Sequence, residues 1–437
     1  MAFGENEVGG LPPDMTLRFL DRMLSRSIET KAREAIDSMG RKCCVESKSE
    51  AEAPPGNRQV LWSGHLYDYS GYGKHNREIL FRVANTFRVE LRQDGIAPEP
   101  IVVDDYTRAR LDMHKRIRVG PKAPLVRLYT PLEEKEKRYR INYTTMETQG
   151  VHPDFIARAG ANYDELWTTT EWNREQFLSS GLKIPCYVMP EGVNPVIYRP
   201  MKRGEFPGCE LLSTEKSRRV EIPKGFVFLS VFQPTFRKGA DVLVRAFEEA
   251  FAGDPDAALV LAGTTSPTEM LHNCNLWSDG ISPEKRKTRV YSLQGKFTEE
   301  DMAYIFNAAN AYVCCSRGEG WNLPAAESMG CGLPLIAPRA FAHLQYMNDW
   351  NSYLFDPDGY EPYPGASGIC RWYDGMKLAA YGDKARAALV DLMRQVKNEY
   401  GKAQERGRIA SRFIHEKYTW DLAADRVARR LCEIVGA

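Results

Sequence analysis

No segment of this sequence approaches the run of ~18 apolar residues that a membrane span requires. The first residues, MAFGENEVGGLPPD, lack the basic start and apolar stretch of an export signal. Neither an exported nor an integral membrane protein is expected. Excess charge of one sign is also missing: 59 Lys and Arg face 58 Asp and Glu over 437 residues, for a net charge of +1. Without a net field there is no electrostatic reason to expect nucleic acid as the main partner. The ten cysteines include no CxxC pair and have no histidine at zinc-ligand spacing. That pattern argues against a zinc site and for reduced thiols in a cytoplasmic protein.

What is present is enough chain for two domains of ordinary size and an extension. Residues 14–42 set Leu17, Leu20, Leu24, Ile28, Ala32, Ala35 and Met39 at helical spacing among seven Lys and Arg. This predicts a basic amphipathic helix that either packs on the body or on a second copy of the chain, the plainer reading, or docks at the anionic inner face of a membrane. SKSEAEAPPGN (47–57) reads as a linker. From Val60, β-rich runs alternate with helical patterns: VLWS, PIVVDD (100–105), LVRLYT, RINYTT, ELWTTT and CYVMPE. After a loop-like stretch at 193–208 the alternation restarts with GFVFLSVF, AALVLAG, RVYSLQG, AYVCCS and LPLIAP. Strands alternating with helices indicate parallel α/β sheets, and the restart marks a second domain. Residues 373–437 read as helical throughout.

Ligands of open α/β sheets bind beyond the carboxyl ends of the strands, so the loops after the apolar runs are where chemistry is sought. SGYGK (70–74) places Gly71 and Gly73 before a helical stretch, where backbone amides and Lys74 could meet an anion. Two glycines in a loop more often simply make a turn. CCSRGEGWNLPAAESMGCGLP (314–334) runs from a buried-looking strand through a Gly-rich loop into a helix opening near Pro324. The free amides around Trp321, Asn322 and Leu323 would face a diphosphate. Glu319 and Glu327 bracket that anion, where carboxylates are tolerated if they accept from sugar and ribose hydroxyls; either one alone would read as surface charge. Arg237 and Lys238, before a further helix, could stabilise charge developing on a leaving diphosphate.

RGEGWNLPAAESMGCGLPLIA resembles the signature of retaining GT-B glycosyltransferases of family four, in which two Glu are separated by seven residues, as Glu319 and Glu327 are. MPEGVNPVIYRP (189–200) is similar to that family's interdomain connection and FLSVFQPTFRKGADVLVRAFEEAF (228–251) to its basic donor loop. DELWTTTEWNREQFLSSGL (164–182) resembles the end of its acceptor domain, and YTWDLAADRVARRL (418–431) its terminal crossing helix. The likeness spans residues 58–435 and is dense only in the C-terminal half. It implies an α/β protein of GT-B architecture: two Rossmann-like domains facing across a cleft, with an N-terminal helical extension. The boundaries it suggests are 1–57 for the extension and linker, 58–200 for an acceptor domain completed by a helix at about 413–437, and 201–412 for a nucleotide-sugar domain.

Carried over residue by residue, the resemblance makes Glu319 the carboxylate on the donor sugar's hydroxyls and Glu327 the one that accepts from the ribose. Gly320 and the amides of Trp321, Asn322 and Leu323, with Arg237 and Lys238, would hold the diphosphate. Gly73 would let the N-terminal loop close over the phosphates, and Lys296 in QGK falls at the nucleobase. Two departures stand out. Gln233 replaces an Arg common among relatives, and where many have a His facing the donor sugar this chain has TTMETQGVHP (144–153), offering Glu147 or His152. The DPD triplets at 254–256 and 356–358 look like the metal-binding motif of the other large glycosyltransferase fold, but sit in turn compositions. No metal and no cofactor are expected. The implied reaction is retaining transfer of a hexose-type sugar from a UDP- or GDP-sugar to an acceptor hydroxyl in glycan or glycoconjugate biosynthesis. A nucleotide-sugar epimerase of the same shape is the alternative among enzymes. A non-catalytic scaffold binding through the basic helix is the alternative outside them.

Overall fold

The computed structural model describes residues 58–436 apart from 69, 94–102, 132–136, 202–209, 214–218, 222, 264–286, 296 and 365–370. The amphipathic helix expected at 14–42 and Lys296 lie outside the described residues.

The chain begins with β1 (Gln59–Gly64), α1 (Gly71–Val83), β2 (Arg88–Gln93), α2 (Asp105–Arg116), β3 (Leu125–Leu128) and β4 (Arg140–Tyr143). It continues with α3 (Pro153–Asn162), β5 (Glu165–Thr168), α4 (Glu171–Ser179) and β6 (Cys186–Val188). These strands form a wholly parallel sheet in the order β2-β1-β3-β4-β5-β6. The inner strands β1, β3, β4 and β5 are buried on both faces, which is why they stand out along the chain, whereas the edge strand β2 alternates buried Val89 and Leu91 with polar residues.

The second sheet is built from β7 (Glu210–Ser213), β8 (Arg219–Glu221), β9 (Phe226–Val231), β10 (Ala257–Gly263), β11 (Arg289–Gln294), β12 (Ala311–Val313), β13 (Leu335–Pro338) and β14 (Tyr353–Phe355). Its helices are α5 (Ala240–Phe251), α6 (Glu299–Ala308) and α7 (Leu323–Gly330). The order is β14-β13-β12-β9-β10-β11-β7-β8, parallel except that β7 and β8 join one edge antiparallel. Strand order reverses at β9, between β10 and β12, so the loops after β9 and β12 open into one crevice.

Of the strand expected at 100–105, residues 100–102 lie outside the described residues; Asp104 caps α2 through Thr107, and β2 is the strand beside β1 opposite β3. The 193–208 connection is followed by the pair β7 and β8, four and three residues long and too short to stand out as strands. The helical pattern after 373 begins only at α8 (Asp383–Asn398), because β15 (Gly359–Pro362) and β16 (Lys377–Ala380) make a hairpin first.

After α8 come α9 (Tyr400–Lys417) and α10 (Trp420–Val435). α8 packs on α5, whereas α10 returns to pack on α1 beside the first sheet. The chain crosses between the sheets at two adjoining points, where Val193 N–H donates to Tyr418 O at 2.9 Å. Arg430 of α10 anchors the return. It donates to Glu165 Oε2 at 2.6 Å, and this carboxylate, fully buried in β5, also accepts from Trp167 Nε1 at 2.7 Å and Tyr139 at 3.1 Å. A buried carboxylate that loses its cation is costly. Arg430→Met is therefore expected to lower stability by about 2 kcal/mol, and Glu165→Gln by less, read from urea unfolding midpoints.

Candidate active site

The loops after β9 and β12 meet around Glu319, which is 5 % exposed. Lys238 donates to its Oε1 at 2.6 Å, Ser316 to the same oxygen at 2.5 Å, and Arg237 to Oε2 at 3.3 Å. Burial pushes this carboxyl up, but Lys238 and then Arg237 outweigh it and bring it down to about 2. Arg237 is shared: it donates to Gly318 O at 2.6 Å, and Glu147 Oε1 from the N-terminal half lies 3.8 Å from it. Arg317 holds this loop in place. Its guanidinium pairs bidentately with Asp241 at the start of α5, at 2.8 and 2.7 Å, and donates to Phe236 O at 2.9 Å. Its backbone N–H reaches Arg237 O at 2.6 Å.

Glu327 lies one turn into α7, as buried as Glu319 but differently compensated. Its cation is Lys74, at 2.6 Å. Lys74 also pairs with Glu299 at the start of α6 and donates to Tyr198 at 3.1 Å. One ammonium shared between carboxylates does not cancel the burial cost. Burial raises the Glu327 carboxyl to about 7, with Lys74 opposing and Glu299 and Glu78 adding to the rise. Two glutamates of one motif are thus set far apart, one ionised through the ordinary pH range and one poised to change charge near neutrality.

Between them, Asn322 takes a left-handed backbone, φ 78°, and its Oδ1 accepts from Ala325 N at 3.2 Å to cap α7. Tyr346 donates to both Trp321 O and Asn322 O, at 2.7 and 3.0 Å. Their carbonyls are occupied, yet among the described residues the N–H groups of Trp321, Asn322 and Leu323 donate to no protein group. These amides lie between the two carboxylates, in front of a helix N-terminus.

The other expected residues divide. Glu147 is at the site, accepting from Tyr373 at 2.7 Å beside Arg237. His152 is not: it caps α3 by accepting from Asp154 N at 3.2 Å, with its ring against Trp372. Its place beside Pro153, at a helix start, explains the difference. Gly71 and Gly73 do not precede the helix but form the first turn of α1, capped by Ser70. The missing Cβ of Gly73 makes room for Asp68, whose Oδ1 would lie 2.3 Å from it, rather than for a ligand. Gly71 faces α7: a Cβ there would lie 3.8 Å from Leu323 Cδ1. Lys74, expected to face an anion, is committed to carboxylates. Asp254 and Asp358 of the DPD triplets accept from Asp256 N and Ala385 N as turn and helix-start residues.

Sequence reasoning passed over Ser316, Arg317, Tyr373, Thr145, Thr169 and Asn173. The first two adjoin the motif and were legible as polar residues after an apolar strand. Tyr373 comes from the end of an unanticipated hairpin, and the last three reach the site only by tertiary contact.

Residues 223–363 match the family model described as Glycosyl transferases group 1. A D-inositol 3-phosphate glycosyltransferase of Acidothermus cellulolyticus is 28% identical over 230 residues, covering 49% of this chain and 46% of that protein. One of Corynebacterium aurimucosum is 27% identical over 140 residues, covering 30% and 31%. The chain thus spans about half or less of the length of these curated relatives. Sucrose-phosphate synthase from Thermosynechococcus elongatus superimposes with a TM-score of 0.62 at 14% identity, over 87% of this chain and 100% of that one. HepE of Anabaena, solved with UDP and glucose, does so with a TM-score of 0.60 at 12% identity, over 86% and 100%.

The raised Glu327 carboxyl has a consequence for stability. A carboxyl that keeps its proton to higher pH when folded makes the folded state bind more protons than the unfolded one. Its contribution is fully present below the ordinary value of 4.5 and lost as pH rises to about 7. Glu327→Gln is expected to flatten the fall in melting temperature across that window. An unchanged pH profile would contradict the assignment.

Proposed function

We propose, from the GT-B fold and the match of residues 223–363 to the Glycosyl transferases group 1 model, that this protein transfers a hexose-type sugar from a nucleoside-diphosphate sugar, UDP- or GDP-linked, to an acceptor hydroxyl with retention of configuration. The observation that carries this reading is the pair Glu319 and Glu327, held in different charge environments on either side of three unpartnered amides. The diphosphate lies against the amides of Trp321, Asn322 and Leu323. The ionised Glu319 accepts from the sugar's hydroxyls, and Glu327 accepts from the ribose once it has lost its proton.

Arg237 and Lys238 are within reach of the leaving diphosphate and neutralise charge as the sugar–phosphate bond breaks. With that cation pair present, the reaction is read as metal-independent. The acceptor oxygen attacks C1 on the face from which the nucleotide departs, and the departing phosphate takes the acceptor's proton. Glu147, held by Tyr373 beside Arg237, is read as the N-terminal residue that faces the reacting sugar. Water is kept from the reaction by closure of the cleft. A cytoplasmic setting accords with the free thiols of Cys186, Cys314, Cys315, Cys331 and Cys432. Among the described residues no helix is long and apolar enough to cross a membrane.

The UDP and UDP-glucose in the HepE structures make UDP-sugars the first donors to test. In a thermal-shift panel of UDP-, GDP-, ADP- and CDP-sugars with EDTA present, one nucleotide class is expected to raise the melting temperature. The shift should shrink in Glu327→Ala and, in the wild type, grow as pH rises through about 7, where the ribose gains a carboxylate acceptor. No shift with any nucleotide would overturn the reading in favour of a scaffold. Retention has its own check: proton NMR of the new linkage should show the donor's anomeric configuration, and an inverted linkage would refute it.

A further inference from the structure

Three side chains of the N-terminal half converge on one backbone oxygen of the C-terminal half. Gly320 O accepts from Thr145 Oγ1 at 3.0 Å, Thr169 Oγ1 at 2.5 Å and Asn173 Nδ2 at 2.8 Å. A carbonyl oxygen has two lone pairs, so three donors saturate it. The approach is close enough to require glycine: a Cβ at Gly320 would lie 2.1 Å from Thr145 Oγ1. The donors are themselves held. Thr145 and Thr169 follow β4 and β5 at the carboxyl edge of the first sheet. Asn173, in the first turn of α4, has its Oδ1 bonded to Met146 N at 3.0 Å and its Nδ2 at 3.0 and 3.2 Å from the two threonine hydroxyls. The three donors lie outside the glutamate motif, and the reaction proposed above gives none of them a part.

A trans peptide points its N–H opposite to its C=O. Pinning Gly320 O therefore sets the direction of the Trp321 N–H, away from the threonine and asparagine cluster. Trp321 is 2 % exposed, and its N–H has no protein partner among the described residues. A buried N–H left open in this way is satisfied by a ligand or by water. We propose that Thr145, Thr169 and Asn173 are positioning residues that orient the Gly320–Trp321 peptide so that the Trp321 N–H donates to the diphosphate of a bound nucleotide. The half of the molecule that binds the acceptor thereby completes the anion site of the half that binds the donor. Hydrogen bonds to Gly320 O also polarise the peptide and make its N–H a stronger donor. The inference rests on the nucleotide reading given above.

The test compares UDP with uridine, and GDP with guanosine, on the full chain. Thr169→Val and the double variant Thr145→Val/Thr169→Val keep side-chain volume and remove hydroxyls. The double variant is expected to lose about tenfold in diphosphate affinity, the scale of a charge-assisted hydrogen bond, with nucleoside affinity unchanged. Thr169→Ser, which returns one hydroxyl, should recover what Thr169→Val loses. No loss, or an equal loss for diphosphate and nucleoside, overturns the proposal. A wild type that binds neither diphosphate defeats the donor reading instead. The orienting contact is then judged by backbone amide exchange: faster exchange at Trp321 in the double variant supports it, and unchanged exchange overturns it.

Discussion

A carboxylate almost without solvent must be matched by cations in its immediate surroundings, and the site depends on how Glu319 meets that demand. Lys238, Arg237 and Ser316 all come to it, from two loops separated in sequence but adjacent in space because strand order reverses at β9. Arg317 and Asp241 fix the same loop from behind, so the cations are held by a second ion pair rather than by flexible chain. Satisfying one buried charge thus ties the loops after β9 and β12 together.

Glu327 shows the same demand met incompletely. Its cation comes from α1, in the N-terminal half, and is shared with Glu299, so burial prevails and the carboxyl holds its proton to about 7. The contrast with Glu319 lies in the number and ownership of neighbouring cations, since the two side chains are equally buried. A motif with the same residue at both ends therefore has two distinct chemical personalities.

The two halves are joined by polar contacts placed at the site itself. Gly320 O is clasped by three side chains from the first sheet, Glu147 sits beside Arg237, and the hairpin of β15 and β16 carries Tyr373 to Glu147. Farther away, α10 returns to the first sheet and is anchored by Arg430 on Glu165. Interdomain geometry and site geometry are consequently one problem.

Much of this was legible along the chain. Buried parallel strands are short runs rich in apolar residues, so β1, β3–β6 and β9–β13 could be read directly, and the residues of the glutamate motif, Arg237 and Lys238 lie next to such runs in sequence. The strands β7, β8, β15 and β16 are three or four residues long, stand outside any longer apolar run, and were hidden. His152 could not be told from Glu147, because both belong to one polar loop and only the packing of α3 turns the histidine into a cap. Lys74 read as a free cation because its partners, Glu327 and Glu299, lie more than two hundred residues away. The sequence by itself determined the strand and helix alternation and set Arg237, Lys238, Glu319 and Glu327 in or just after the loops that follow apolar strands. The tertiary structure alone decided which charges neutralise one another, because ion pairing depends on distances of a few ångströms between segments whose separation along the chain carries no such information.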